Sequence, residues 1–129
     1  MKKSLRKRVK ERAQYLCEYC LSPERFCPTY YEGDHITPES AGGKDTFENL
    51  ANACGGCNNN KSNLTHAIDT LTGQLVPLYN PRVHIWEDHF CWNDTFILRN
   101  CFKTCYSLFI ALLEMRALKF FLRAKLFFE

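Results

Sequence analysis

Asp34-His35-Ile36-Thr37-Pro38, then Gly42-Gly43, then Asn49-Leu50, then Cys54-Gly55-Gly56-Cys57-Asn58, closing at Lys61: this stretch decides the fold. It sets a carboxylate beside a histidine, follows with asparagines at Asn49 and Asn58, and places two thiols just ahead of the second asparagine. Residues 29–36 are rich in β-branched and aromatic side chains and read as a strand that delivers Asp34 and His35 at its end. Residues 37–48 hold Pro38 and the Gly42-Gly43 pair and read as a loop, with residues 49–52 as the return. The pattern predicts a hairpin with a wide, irregular loop. A short polar helix is predicted from Cys54 to about Leu64.

A second Cys-x-x-Cys, Cys17 to Cys20, precedes that hairpin. Thiolates separated by two residues can grip one metal from a tight turn. Cys17, Cys20, Cys54 and Cys57 therefore form a candidate tetrahedral Zn²⁺ site, structural because no position stays open to water. The gap between the pairs matches the strand, loop and return, so zinc would clamp the base of the hairpin to the start of the helix. A domain this small gains from such a staple.

The chain has 129 residues, enough for one domain with a modest core. Its net charge of +3 is uneven, with +6 over residues 1–13 and −3 over the rest. A basic segment on a near-neutral body points to a polyanion partner or to a solvated helix face. Leu5, Val9, Ala13 and Leu16 make one apolar stripe, which predicts a helix over residues 3–16. Arg6 and Lys10 on its other faces are candidate phosphate contacts.

Eight cysteines would fit a disulfide scaffold in a secreted chain. The basic start is followed by no apolar h-region, however, so no signal peptide is expected, and the reading favours a reducing, cytoplasmic compartment. No membrane-spanning segment is expected, because charged residues break the apolar run from Tyr106 to Phe128. Cys27 lacks a partner at ligand spacing and reads as a free or buried thiol.

The second constellation is Asp34, His35, Asn49 and Asn58. Asp34 can offer a carboxylate oxygen, and Asn58 an amide oxygen, to a divalent cation. Hard oxygen donors suit Mg²⁺ or Mn²⁺. His35 is then left to deprotonate water, since its unperturbed pKa is close to neutral. Asn49 can orient His35 or its loop, and Lys61 can steady a phosphate oxygen. Taken singly, an Asp-His pair also fits a surface ion pair, and the asparagines fit turns and helix caps. Their joint placement inside the cysteine clamp favours a hydrolytic site.

Together, Cys17-x-x-Cys20, Asp34-His35-Ile36-x-Pro38, Gly42-Gly43, Asn49-Leu50 and Cys54-x-x-Cys57-Asn58-x-x-Lys61 resemble the zinc-bearing HNH endonucleases over residues 12–64. Leu78-Tyr79-Asn80-Pro81-Arg82 and the stretch from Trp86 to Trp92 look like a downstream segment of bacterial members. The resemblance implies an α+β fold, a small ββα-metal finger clamped by a four-cysteine zinc site with flanking helices. It implies His35 as general base, Asn49 as support for its loop, and Asp34 and Asn58 as ligands of one catalytic divalent ion. Asn58 stands where the family often has a histidine. The implied activity is hydrolysis of a DNA phosphodiester, although the residues do not distinguish DNA from RNA.

Further along, residues 74–79 read as a strand after a turn at residues 69–73. Arg82 reads as a phosphate contact or a plain surface arginine, and His66, His84 and His89 as surface or packing residues. The run from Tyr106 to Phe128 reads as one helix, which suits a core helix or a homodimer contact. The expected organisation is a basic arm or helix over residues 1–13, a nuclease domain over 14–95 and a divergent apolar tail over 96–129. The rival reading is a zinc-stapled nucleic-acid-binding module without catalysis.

Overall fold

The computed structural model describes residues 1–69, 72–92 and 97–99. The chain divides into two compact units, the first Met1–Thr65 and the second from His66 onward. The expected tail helix over residues 106–128 and its homodimer contact lie outside the described residues.

In the first unit, α1 (Lys3–Arg12) leads into the Cys17–Cys20 turn. It buries Val9, and Ala13 beyond its end, as the apolar stripe predicts. It ends earlier than the stripe does, because Gln14 and Tyr15 adopt left-handed backbone, φ 52° and 59°, and turn the chain toward the cysteines. Such φ values are uncommon outside glycine and end a helix.

β1 (Glu32–His35) pairs antiparallel with β2 (Leu50–Ala53), placing His35 opposite Leu50 and Asp34 opposite Ala51. The hairpin is shorter than residues 29–36 suggested. α2 (Gly55–Lys61) follows, with Cys54 as its N-cap and its Sγ accepting from the Cys57 amide. It stops at Lys61, because Ser62 takes a positive φ of 47°. This is the expected ββα arrangement, and the four residues of β2 are all buried at its centre.

Charged side chains of α1 enter that centre. The Arg6 guanidinium donates to the Tyr31 carbonyl and, at 2.7 Å, to Asn52 Oδ1. Arg12 donates to the carbonyls of Phe47 and Leu50 and to Glu18 at 3.1 Å, and lies over the Phe47 ring. Asn52, fully buried, completes the network with its amide on Glu18 Oε2 at 2.7 Å and its side chain on the Leu16 carbonyl at 2.8 Å. Most buried polar groups in proteins are satisfied in this way, and here the unpaired buried atoms of the two guanidiniums are Arg6 Nη1 and Arg12 Nε. Arg6, expected at a phosphate, is thus a structural tie between helix and hairpin. Lys10, expected there too, is paired with Glu24 at 2.5 Å.

In the second unit, β3 (His66–Ile68) and β4 (Leu75–Pro77) form an antiparallel hairpin. The turn at Gly73, φ 70°, closes with its amide on the Asp69 carbonyl. The strand at β3 was not legible, since three residues carry too little pattern. α3 (Trp86–His89) leads to β5 (Phe90–Trp92), which pairs with β6 (Ile97–Arg99). Tyr79, His84, His89 and Phe90 pack ring against ring at 4.8–6.3 Å between centroids, so these histidines pack as read. The Arg82 guanidinium donates to the Pro81 carbonyl at 3.3 Å. Among the described residues no helix is long and apolar enough to cross a membrane.

Candidate active site and metal clamp

Cys17, Cys20, Cys54 and Cys57 converge, all buried, with their sulfurs within 4.8 Å of one another. Cys20 and Cys54 are 3.8 Å apart, Sγ to Sγ. Sulfurs about 2.3 Å from a common ion on a regular tetrahedron sit about 3.8 Å apart, so the set fits zinc. Backbone amides add support, with Cys54 N–H on Cys17 Sγ and Cys57 N–H on Cys54 Sγ, each at 3.4 Å. Thiol hydrogen bonds from Cys17 and Cys20 push the Cys54 pKa down, while burial pushes the Cys17 thiol up. A divalent cation removes that conflict by favouring four thiolates. The knuckle is fixed to β2 by the Glu18 amide on the Asn52 carbonyl at 2.8 Å.

Beside the clamp, Gly33, Asp34, His35, Glu39, Asn58 and Asn59 line part of one open, mainly polar cleft of about 380 Å³. The end of β1 supplies Asp34 and His35, and α2 supplies Asn58. Three of the four expected site residues therefore meet at one surface. Asp34 is 5% exposed. Its carboxylate accepts from the Tyr19 hydroxyl and from Lys61 Nζ at 3.0 and 3.2 Å. Burial raises the Asp34 pKa from its ordinary value, and the Tyr19 and Lys61 contacts oppose that rise. Asn58 Nδ2 donates to Glu32 Oε2 at 2.5 Å, an orientation that leaves Oδ1 as its donor atom for a cation. Asp34 and Asn58 thus fit a hard divalent ion by donor chemistry.

Lys61 differs from its expected place at a phosphate. It is 2% exposed, and its ammonium also donates to the His35 carbonyl at 2.6 Å. It joins the end of α2 to the end of β1. A buried pair of this kind is costly to break from one side, roughly 3–5 kcal/mol.

Asn49 stands outside the cleft lining and acts on the loop. Its Oδ1 accepts from the Thr37 amide at 2.9 Å, and its Nδ2 donates to the carbonyls of Thr37 at 3.0 Å and Lys44 at 3.1 Å. One side chain thereby fixes a residue two beyond His35 and the residue before Asp45. Asp45 is the residue that the sequence did not single out. Its Oδ1 lies 2.8 Å from His35 Nε2, and its Oδ2 lies 2.8 Å from the Met1 amino group. Glu39 is 3.8 Å from the same imidazole nitrogen. No spacing rule flags Asp45, because the contact is made by the loop's shape.

Gly43 shows how tight that loop is. A Cβ there would lie 1.7 Å from the Thr37 carbonyl oxygen and 2.8 Å from Asn49 Nδ2. Gly43→Ala is therefore expected to lower stability by about 2 kcal/mol and to impair the site, because backbone must move. Gly55→Ala has open space around it and serves as the control. Thermal melts of both variants check this, and equal melting temperatures would refute the packing argument.

The fold and the clamp define a zinc-stapled ββα class. The family model for HNH endonuclease matches residues 17–64, and the chain carries an HNH endonuclease domain there. Such a domain implies a nuclease acting on nucleic acid. No curated protein and no solved structure matches the chain significantly.

Proposed function

We propose that the first unit is a metal-dependent endonuclease that hydrolyses DNA phosphodiester bonds, with His35 as general base. The observation that carries this reading is the convergence of Asp34, His35 and Asn58 on one polar cleft beside the clamp. Asp34 and Asn58 would hold Mg²⁺ or Mn²⁺, which supplies charge neutralisation at the scissile phosphate and the leaving oxygen. With its Nε2–H on Asp45, neutral His35 keeps Nδ1 as its basic nitrogen. That nitrogen takes a proton from water, the water oxygen bonds to phosphorus, and the bond from phosphorus to the sugar oxygen breaks. Asn49 holds the loop on which the His35–Asp45 pair depends.

The test is plasmid nicking by the zinc-loaded full chain with Mg²⁺ or Mn²⁺, beside His35→Ala at equal zinc content. Loss of cleavage in the variant supports the reading. The Lys61 ammonium on Asp34 favours the other reading, a non-catalytic binding module, because it offsets the charge a cation would use. Absence of cleavage by wild type, with DNA binding retained, would select that module.

Asp45 acts through His35 as a positioning residue. Asp45→Ala is expected to lower kcat about 10–100-fold with KM little changed, the scale seen when an orienting partner is removed. Asp45→Asn keeps an oxygen that accepts the bond and should retain most of the rate. Equal rates for Asp45→Ala and wild type would remove Asp45 from the mechanism.

A further inference from the structure

A second cavity is separate from the cleft. It is a groove of about 840 Å³ between the end of α1, the segment after the cysteine knuckle and the approach to β1. Its lining includes Leu16, Pro23 and Pro28, with Tyr15, Arg25 and Tyr30 among its exposed members. Tyr30 is 88% exposed and Tyr15 is 52% exposed. Both rings stand half or more in solvent, Tyr30 with the Lys10 ammonium 5.7 Å from its centroid, and exposed aromatics grouped along an apolar groove mark an interaction site.

The charge beside the groove names the kind of occupant. Lys10 and Gln14 both line it. Lys3 and Lys7 precede them at helical spacing on the same face of α1. Lys10 is committed to Glu24, but Lys3 and Arg25 are exposed, and Lys7 meets Glu11 only at 3.7 Å in solvent. A row of cations leading to exposed rings suits a polymer with alternating phosphates and flat bases. Base faces are hidden in a duplex and available in a single strand, and stacking on aromatic rings accepts every base. Tyr30 lies five residues before His35, so their Cα atoms are at most about 18 Å apart. That distance is a few nucleotides of strand.

We infer that this groove docks an unpaired polynucleotide strand, stacking bases on Tyr30 and Tyr15 while Lys3, Lys7 and Arg25 meet its phosphates. The nuclease reading contributes only the identity of the polymer. The substrate class that follows is nucleic acid with a single-stranded flank beside the cut position.

The experiment is fluorescence anisotropy of the zinc-loaded full chain without Mg²⁺ or Mn²⁺. The probes are a labelled oligodeoxythymidine, an abasic strand of the same length and a duplex. Tyr30→Ala should weaken oligodeoxythymidine binding roughly fivefold or more, and Tyr30→Phe should retain it. The abasic strand should bind wild type at least as weakly as oligodeoxythymidine binds Tyr30→Ala, because it loses the stack on Tyr15 as well. Duplex affinity should be the same for all three proteins. Three phosphate contacts predict a slope of log affinity against log salt near −2. Tyr30 is so exposed that its substitution leaves the fold intact, which equal melting temperatures check. The inference is overturned if Tyr30→Ala binds the strand within twofold of wild type. Equal wild-type affinity for strand and duplex would overturn it too. These outcomes need no cleavage, so a failed nicking assay would remove the nuclease reading and leave this one standing.

Discussion

Stripping zinc from the full chain is expected to unfold residues 1–65. The four thiols share one buried site, and their chain segments are the knuckle, the end of the hairpin and the start of α2. Structural zinc contributes apparent binding free energies of about 10–16 kcal/mol, which in a small domain is folding free energy. That matches or exceeds the ~5–15 kcal/mol by which a domain is normally stable. Cys57→Ser should have the same effect, since a fully buried ligand is replaced by a weaker donor that leaves a gap. Cys27→Ser is the matched control, because its Sγ contacts the Tyr31 hydroxyl at 3.1 Å and lies outside the cluster. The readouts are bound zinc per chain, near-ultraviolet dichroism and thermal melts before and after chelation. One zinc in wild type and in Cys27→Ser, and none in Cys57→Ser, is the expected pattern. A chain that stays folded and keeps its melting temperature without zinc would refute the clamp.

His35→Ala is expected to lower cleavage by about 10²–10⁴, the usual contribution of a positioned general base. Stability should change little. The ring is only partly buried, and the backbone around it is held by Asn49, the Lys61 bond to the His35 carbonyl and pairing with Leu50. A loss of rate without a loss of fold separates chemistry from scaffold. Because Asp45 works through His35, His35→Ala and Asp45→Ala should not add when combined. A double variant that loses the product of the two single effects would show that Asp45 acts elsewhere. Should His35→Ala cut at the wild-type rate, another group is the base.

The clamp was legible because metal coordination imposes strict spacing, and Cys17-x-x-Cys20 and Cys54-x-x-Cys57 state it outright. The convergence of Asp34, His35 and Asn58 on one cleft was legible for a related reason, since the hairpin and the clamp bring the end of β1 against α2. The registers of shorter elements were not legible. Gln14 and Tyr15 carry no glycine or proline to announce a left-handed turn, so the apolar stripe overran the helix. Charge was misread most. Periodicity tells which residues share a helix face, but not that carbonyls of Tyr31, Phe47 and Leu50 wait opposite. Arg6 therefore read as a candidate phosphate contact and Lys61 as able to steady a phosphate oxygen, whereas in the structure Arg6 is tied to Asn52 and Lys61 to the His35 carbonyl. Asp45 escaped because loop closure, which only coordinates reveal, brings it to the imidazole.

The inward reach of Arg6 and Arg12 also separates two boundaries that are easily equated. The recognisable signature starts at Cys17. The cooperative unit starts a helix earlier, because those guanidiniums satisfy three main-chain oxygens and the side chain of Asn52. A segment cut at the signature would keep every residue proposed for chemistry and lose the partners that let β2 stay dry. In this chain the smallest transplantable folding unit is the signature together with the helix in front of it.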